Sequence, residues 1–203
     1  MTTAMQPMSP QQMEPEFPDA YVARRNYFNF LGITCRILSM AGVVLCWVKL
    51  KAFKLKEDIG IFRDAGRTQP LLNIKARSII DFSAAYDVVD MRSGEKVGVL
   101  RRKGLKSILK DEWEILDAHD RPLGVVKEDS LLLAMVRRFL SNIVPQTFHV
   151  HLGQNEVGVI KGSWNPFIVK YFVDFSADTQ RLLDRRLGMA AVVLLMTIEG
   201  RQN

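Results

Sequence analysis

The stretch LGMAAVVLLMTI (187–198) contains no charged residue and lies close to the end of the chain. As an α-helix it would be about 18 Å long at about 1.5 Å rise per residue, whereas the hydrocarbon core of a bilayer is about 30 Å thick. The stretch is therefore short for a membrane span. It also has no polar side, which a helix on a protein surface would have. We infer that the rest of the fold must enclose this helix.

Four segments predict β-hairpins along the chain. Each begins with an apolar or β-branched strand, passes through a polar turn and ends with a second apolar strand closed by Lys or Arg. They are IFRDAGRTQPLLNIK (61–75), DVVDMRSGEKVGVLR (87–101), EILDAHDRPLGVVK (114–127) and FHVHLGQNEVGVIK (148–161). The last three share an apolar-Gly-Val core, at Gly98, Gly124 and Gly158. A Gly inside a strand predicts a bend or a close approach of two backbones.

More strand-like segments, at 27–38, 43–56, 78–86 and 166–174, bring the total to about twelve strands. So many strands exceed what one open twisted sheet holds comfortably, and closure into a barrel removes the edges. A barrel of more than about eight strands leaves space along its axis. We therefore predict a mainly β (α+β) fold, with a closed β-barrel of about twelve strands around a central C-terminal hydrophobic helix.

The central helix is predicted from Ser176 to Glu199, with Ser176 or Asp178 as its N-cap and Gly200 as its stop. Its first half is charged and its second half is apolar all round, so the second half would fill the barrel. The alternative is a helix in an ordinary α+β core, which leaves the surplus of strands without an architecture. A second helix, SLLLAMVRRFLSNIVP (130–145), is predicted to cover one mouth or side of the barrel.

The apolar run FLGITCRILSMAGVVLCWV (30–48) has nearly the length of a membrane span. Arg36 lies in its first half, and an arginine inside a bilayer costs at least about 2.5 kcal/mol. Two buried strands that turn between Ser39 and Gly42 are favoured, and a membrane helix is the alternative. Residues 1–24 are predicted to be a disordered tail, because the first twenty carry four prolines and almost no aliphatic residues. The barrel domain then spans 25–203.

The chain resembles the tubby-like superfamily, and within it the LURP-one-related and phospholipid-scramblase-like domains. The resemblance covers about residues 27–200. It rests on the segments KLKAFKLKEDIGIF (49–62), IIDFSAAYDVVD (79–90), GLKSILKDEWEILD (104–117) and VDFSADTQRLLDRRLGMAAVVLLMTIEG (173–200). No single motif among them is diagnostic, but the order of hairpins ending in this helix is fairly specific.

This resemblance implies a twelve-stranded barrel around a central helix. Tubby domains bind phosphoinositides through basic residues on the barrel exterior, and scramblase-like members are associated with lipid movement, calcium and acyl-anchored cysteines. No cysteine cluster precedes the predicted barrel, so acylation is not supported. Asp174 and Asp178 lie where scramblases carry acidic residues. Two carboxylates fall far short of a calcium loop with its full set of oxygen ligands.

The chain of 203 residues has a formal charge of +6, which favours anionic partners such as lipid headgroups, nucleic acid or acidic proteins. Cys35 and Cys46 lie in apolar surroundings and are predicted to be buried free thiols of a reducing compartment. No catalytic motif is recognisable, and we expect no enzyme, cofactor or metal. His149 and His151 share one strand face, but no third ligand accompanies them.

Two basic stretches supply the candidate lipid-binding residues. They are Lys49, Lys51, Lys54, Lys56, Arg101, Arg102, Lys103 and Lys106. The four lysines of the first stretch form two same-face pairs, and a bulge near Ala52 would align them in one stripe. We predict a non-enzymatic barrel that binds anionic headgroups and is cytoplasmic or peripheral to the membrane. The alternatives are an ordinary solvated exterior and a soluble scaffold or protein-interaction barrel. Nucleic acid is less favoured, because the basic residues do not alternate with exposed aromatics.

Overall fold

A computed structural model describes residues 16–26, 34–50, 58–77, 84–103, 112–129, 146–163, 165 and 168–198. Within these ranges the chain forms twelve strands and then one α-helix. The strands are β1 (Ala20–Asn26), β2 (Thr34–Leu38), β3 (Val44–Leu50), β4 (Asp58–Phe62), β5 (Pro70–Ala76), β6 (Ala85–Asp90), β7 (Lys96–Arg102), β8 (Glu112–Leu116), β9 (Pro122–Glu128), β10 (Thr147–Leu152), β11 (Asn155–Ser163) and β12 (Ile168–Asp174). The helix is α1 (Arg185–Ile198).

The sheet is a closed antiparallel barrel. Each strand pairs with its neighbours in chain order, and β12 pairs back with β1. Helix α1 lies inside, because its residues from Leu187 to Thr197 are all buried and it contacts β1, β5, β6, β7 and β12. The uncharged stretch is thus surrounded by the walls of the barrel. The prediction of a twelve-stranded barrel around a central C-terminal helix is confirmed.

Helix α1 begins later than predicted. Asp184 is its N-cap, since its side-chain Oδ1 accepts a hydrogen bond from the Arg186 N–H at 2.9 Å and its carbonyl accepts the Gly188 N–H at 3.0 Å. The predicted caps, Ser176 and Asp178, lie in the preceding loop. The carboxylate of Asp178 is engaged there by the N–H groups of 182 and 183, so it closes a turn instead of starting the helix.

The second strand of each hairpin carries a β-bulge close to its start. The extra residues are Leu45 in β3, Leu71 in β5, Val97 in β7, Leu123 in β9 and Val157 in β11. In the last three strands a Gly follows the extra residue. A Cβ atom at Gly124 would fall on the backbone carbonyl of His151, and one at Gly158 on the ring of Phe175. The close approach predicted from these glycines is therefore present.

The hairpin turns all lie at one end of the barrel, because strands with even numbers run towards that end. We call it the turn end. The start of β1, the loop 175–184 and the beginning of α1 lie there as well. Strand β1 begins at Ala20, so the barrel starts earlier than the predicted boundary at residue 25. Residues 1–15 of the predicted tail lie outside the described residues.

The apolar run 30–48 forms two strands over its described part. Strands β2 and β3 are joined by a turn in which the Ser39 N–H donates to the Val43 carbonyl at 2.7 Å and Gly42 has a φ of 87°. The two-strand prediction is confirmed for residues 34–48. Across the described ranges, no helix is long and apolar enough to cross a membrane. The predicted helix 130–145 lies outside those ranges, as do residues 27–33, 51–56, 78–83, 166 and 167 of the predicted strands.

Candidate functional site

Three strands that close the barrel present basic side chains to the outside. The alternation along each strand fixes this orientation. Arg24 of β1 lies between buried Ala23 and Arg25, and Arg36 of β2 lies between buried Cys35 and Ile37. On β12 the buried residues are 171 and 173, so Lys170 shares the outer side with exposed Phe172.

The register of these strands places three cations side by side. Arg24 lies directly opposite Lys170 on one neighbouring strand and directly opposite Arg36 on the other. We call these three residues the basic row. On the next strand at each side, Ser163 of β11 is opposite Lys170 and Trp47 of β3 is opposite Arg36, and neither is acidic. The register thus concentrates three positive charges on one part of the barrel exterior.

Apolar side chains border the basic row on its turn-end side. Val22 of β1 lies between Phe172 and Leu38 in the register, and the ring of Phe172 is 38% exposed. The Lys170 Nζ lies 4.5 Å from the centre of that ring, within cation–π range. We call the outer side of β12, β1, β2 and β3 the basic face. It combines cations with partly exposed apolar and aromatic groups.

The far side of the barrel arranges its charges differently. Lys75 of β5 lies between Asp58 of β4 and Asp87 of β6 in the register. On β9, Lys127 lies between Glu112 and His149. Lys75 thus faces a carboxylate on both sides and Lys127 on one side, and opposite charges in such positions stabilise a sheet. We call this region the charge-paired side.

Of the first predicted stretch, Lys49 lies within the described residues. It is exposed on β3, on the outer side that it shares with Trp47, and therefore belongs to the basic face. Its cross-strand partners are Thr34 and Gly60, and it has no ion-pair partner among the described residues. The other lysines of that stretch, Lys51, Lys54 and Lys56, lie outside the described residues.

The described part of the second predicted stretch lies at the end of β7 and directly after it, next to glutamates. Arg101 Nη2 lies 2.5 Å from Glu114 Oε2, and Lys103 Nζ lies 2.6 Å from Glu112 Oε1. The hydrogen bond with Glu112 raises the pKa of Lys103. Arg102 is opposite Trp113 in the register, and Lys106 lies outside the described residues. Because β4, β5 and β6 separate β3 from β7, Lys49 and Arg101 lie on different parts of the barrel wall.

Sequence reasoning missed the basic row. Its members come from three separate segments, and only the strand register makes them neighbours. The sequence offers only a weak signal for it. Arg36 and Lys170 each lie in a predicted strand, whereas Arg24 lies in the segment 1–24 that is predicted to be a disordered tail.

The other candidate residues have structural explanations. The rings of His149 and His151 stack with centres 6.3 Å apart, and His149 Nδ1 lies 3.0 Å from Glu156 Oε2. In the part of the chain that the structure describes, no group of three potential ligands could hold a metal ion. Both cysteines are buried free thiols, and burial raises the pKa of each to about 12.

The acidic pair considered for calcium is engaged within the protein. Asp174 Oδ1 accepts the Ser176 N–H at 2.9 Å, and Asp178 Oδ2 accepts from Arg185 Nη1 at 2.7 Å. A carboxylate that already holds a buried guanidinium has little capacity left for a cation. The pair therefore serves the loop that leads into α1.

A twelve-stranded antiparallel barrel closed around a buried C-terminal helix, with basic residues on its exterior, defines the class of tubby-like barrel domains. The family model described as LURP-one-related matches residues 44–196, which is most of the chain. The chain belongs to the LURP-one-related family, within the tubby-like superfamily. No curated protein and no solved structure matches it significantly.

Proposed function

We propose that this domain is a non-enzymatic module that binds anionic lipid headgroups at a membrane surface through the basic face. The observation that carries the proposal is the basic row, in which three cations stand directly opposite one another. Three adjacent cations concentrate positive potential on this part of the exterior, and such a potential attracts an anionic surface. The proposed location is cytoplasmic and peripheral to a membrane.

The expected strength of this interaction is modest. Near an anionic surface each basic residue contributes about 1 kcal/mol. The basic row and Lys49 together would give about 4 kcal/mol, which corresponds to a Kd near 1 mM. Phe172 and Trp47 border the cations and suit the interface, where an aromatic ring contacts both apolar chains and polar headgroups. Binding would therefore be reversible and sensitive to salt.

The test is co-sedimentation with vesicles of phosphatidylserine and phosphatidylcholine, compared with vesicles of phosphatidylcholine alone. The face variant is Arg24→Gln/Arg36→Gln/Lys170→Gln. The matched control variant is Lys75→Gln/Arg101→Gln/Lys127→Gln, which removes the same number of positive charges from the charge-paired side. We expect wild type and the control variant to bind anionic vesicles alike, and the face variant to lose most of its binding.

Three results separate the alternatives. Equal binding by the face and control variants would show that net charge matters and the basic face does not. A variant with Lys49, Lys51, Lys54 and Lys56 changed to Glu tests the lysine stretch, and wild-type binding by it would remove that stretch from the site. Absence of wild-type binding at low salt would favour the protein-interaction barrel with no lipid preference.

A further inference from the structure

An open cavity of about 480 Å³ lies at the turn end, away from the outer side of the strands that carry the basic face. Four arginines line it, together with two carboxylates and two apolar side chains. The lining residues are Arg92, Arg181, Arg185, Arg186, Glu16, Asp184, Phe17 and Leu183. So many guanidinium groups around one space indicate a preference for negative charge.

Two of these arginines are occupied in holding α1. Arg185 donates to Asp178 at 2.7 Å, to Asp19 at 2.6 Å and to backbone carbonyls of the loop. Arg186 donates to the carboxylates of Asp184 and Asp90. These two side chains position the start of the helix, and their hydrogen-bonding capacity is largely used.

The other two arginines retain capacity for a ligand. Arg181 is 61% exposed at its side chain, and its Nη2 makes one side-chain hydrogen bond within the described residues, to Asp19. Arg92 is 49% exposed; its Nε and Nη2 donate to Asp90, and its Nη1 donates to Glu16 Oε2 at 2.5 Å. A guanidinium has five N–H donors, so Arg181 can donate to a further oxyanion, and Arg92 can do so through the Nη1 that holds Glu16.

The carboxylate of Glu16 lies next to Arg92 in this cavity, in a position that a bound anion could take. One of its carboxylate oxygens pairs with Arg92 and the other with Arg63, which belong to the turns after β6 and β4. Phe17 fixes the segment by packing on the core, with the Arg92 Cζ 5.9 Å from its ring centre. Two guanidinium groups from different turns thus converge on one oxyanion, which is how arginines bind phosphate as well as carboxylate.

We propose that this cavity is a binding site for a phosphate-type oxyanion, held by Arg92 and Arg181, and that Glu16 competes with the ligand for Arg92. When Glu16 is displaced, Arg63 becomes a third donor at the same place. Phe17 and Leu183 give the site an apolar wall, which fits a phosphate ester with a carbon skeleton. This site is separate from the basic face and does not depend on it.

The first test measures binding of inorganic phosphate by calorimetry, with sodium chloride at matched ionic strength as the background. Glu16→Gln removes the competing charge and keeps the side-chain size. We expect Glu16→Gln to bind phosphate at least tenfold more tightly than wild type. Arg181→Gln, a change at an exposed side chain, should weaken phosphate binding at least fivefold in the Glu16→Gln background. Circular dichroism confirms that each variant is folded.

Equal phosphate affinity in wild type and Glu16→Gln would overturn the competition, and unchanged affinity after Arg181→Gln would overturn the site. Two further probes identify the source of the phosphate group. A water-soluble inositol phosphate tests a free ester, and vesicles that carry the same headgroup test a lipid. Tighter binding of either probe by Glu16→Gln supports the cavity. Vesicle binding that depends on Arg24, Arg36 and Lys170 but not on Arg181 would limit the cavity to free esters.

Discussion

Single side chains at the turn end decide where the loop 175–184 stops and α1 starts. Asp178 is 5% exposed and accepts hydrogen bonds from the N–H groups of Leu182 and Leu183, at 2.9 Å each, and from Arg185 at 2.7 Å. Burial on its own would raise the pKa of Asp178, but the hydrogen bonds from Arg185, Leu183 and Leu182 outweigh it. The pKa therefore lies below its ordinary value.

The first prediction concerns Asp178→Asn. The change removes one of the two carboxylates that pair with the buried Arg185 guanidinium and leaves Asp19, and the loss of a hydrogen bond to a charged group costs about 1.5–3 kcal/mol. A carboxyl group with a lowered pKa in the folded state contributes stability that is present above its unfolded pKa of about 3.9 and is lost as the pH falls through the folded value. We expect the wild-type free energy of unfolding, measured in urea, to fall below about pH 4 and that of Asp178→Asn to fall less steeply. Parallel pH curves for the two proteins would contradict this.

The predictability of single residues from the sequence was uneven. The residue types predict Ser176 or Asp178 as the N-cap of the helix, but Asp184 is the cap and Asp178 closes a turn in the loop. Sequence spacing does not show which of several acidic residues begins a helix. The apolar cysteines were predicted correctly as buried thiols, since their surroundings are local. Residues whose role depends on register, such as Arg24, could not be identified.

Bulges in the strands shift the register between neighbours, in addition to the alternation of apolar residues that fixes which side faces the core. The glycines in β7, β9 and β11 predict a bend or a close backbone approach, because a Gly is unusual within an apolar strand. Their role in shifting the register was not predictable, and Leu45 and Leu71 show that a bulge occurs without Gly. The bulge near Ala52 remains a prediction, since that residue lies outside the described part.

The second prediction tests the close approach at Gly158. The Cβ of Gly158→Ala would fall on the Phe175 ring, so we expect a loss of about 1–3 kcal/mol in the free energy of unfolding. Phe175→Leu removes the ring atoms that the Cβ meets. The loss of unfolding free energy in the double variant should be smaller than the sum of the two single losses by at least about 0.5 kcal/mol. Strict additivity in urea unfolding would show that Gly158 is required for another reason.

The whole molecule depends on the match between a wide barrel and an uncharged helix. Twelve strands leave an axial space, and α1 fills it with side chains from Leu187 to Met196 that are at most 5% exposed. This correspondence makes the architecture predictable, because an uncharged helix needs an enclosure and a wide barrel needs a filling. The distribution of charge over the exterior was not predictable, since it depends on which strands become neighbours.

The third prediction concerns the filling of the barrel. Leu194 is fully buried, so Leu194→Asp places an unpaired charge in the apolar interior and should prevent folding. Truncation after Arg186 should do the same, because each large side chain lost from the core removes about 1.5–3 kcal/mol. Leu194→Met is the control and should melt cooperatively, with a loss below about 1.5 kcal/mol. A truncated chain with wild-type melting would show that the helix is dispensable.

The basic face is the side of the barrel that we expect to contact an anionic membrane. Trp47 lies on this face next to Arg36, whereas Trp113 is 2% exposed in the interior. In a Trp164→Phe variant, iodide quenching of fluorescence therefore reports mainly on Trp47. We expect phosphatidylserine vesicles to shield Trp47 from iodide, phosphatidylcholine vesicles to leave it accessible, and added salt to restore quenching. Vesicle binding with unchanged quenching of Trp47 would show that another surface of the barrel makes the contact.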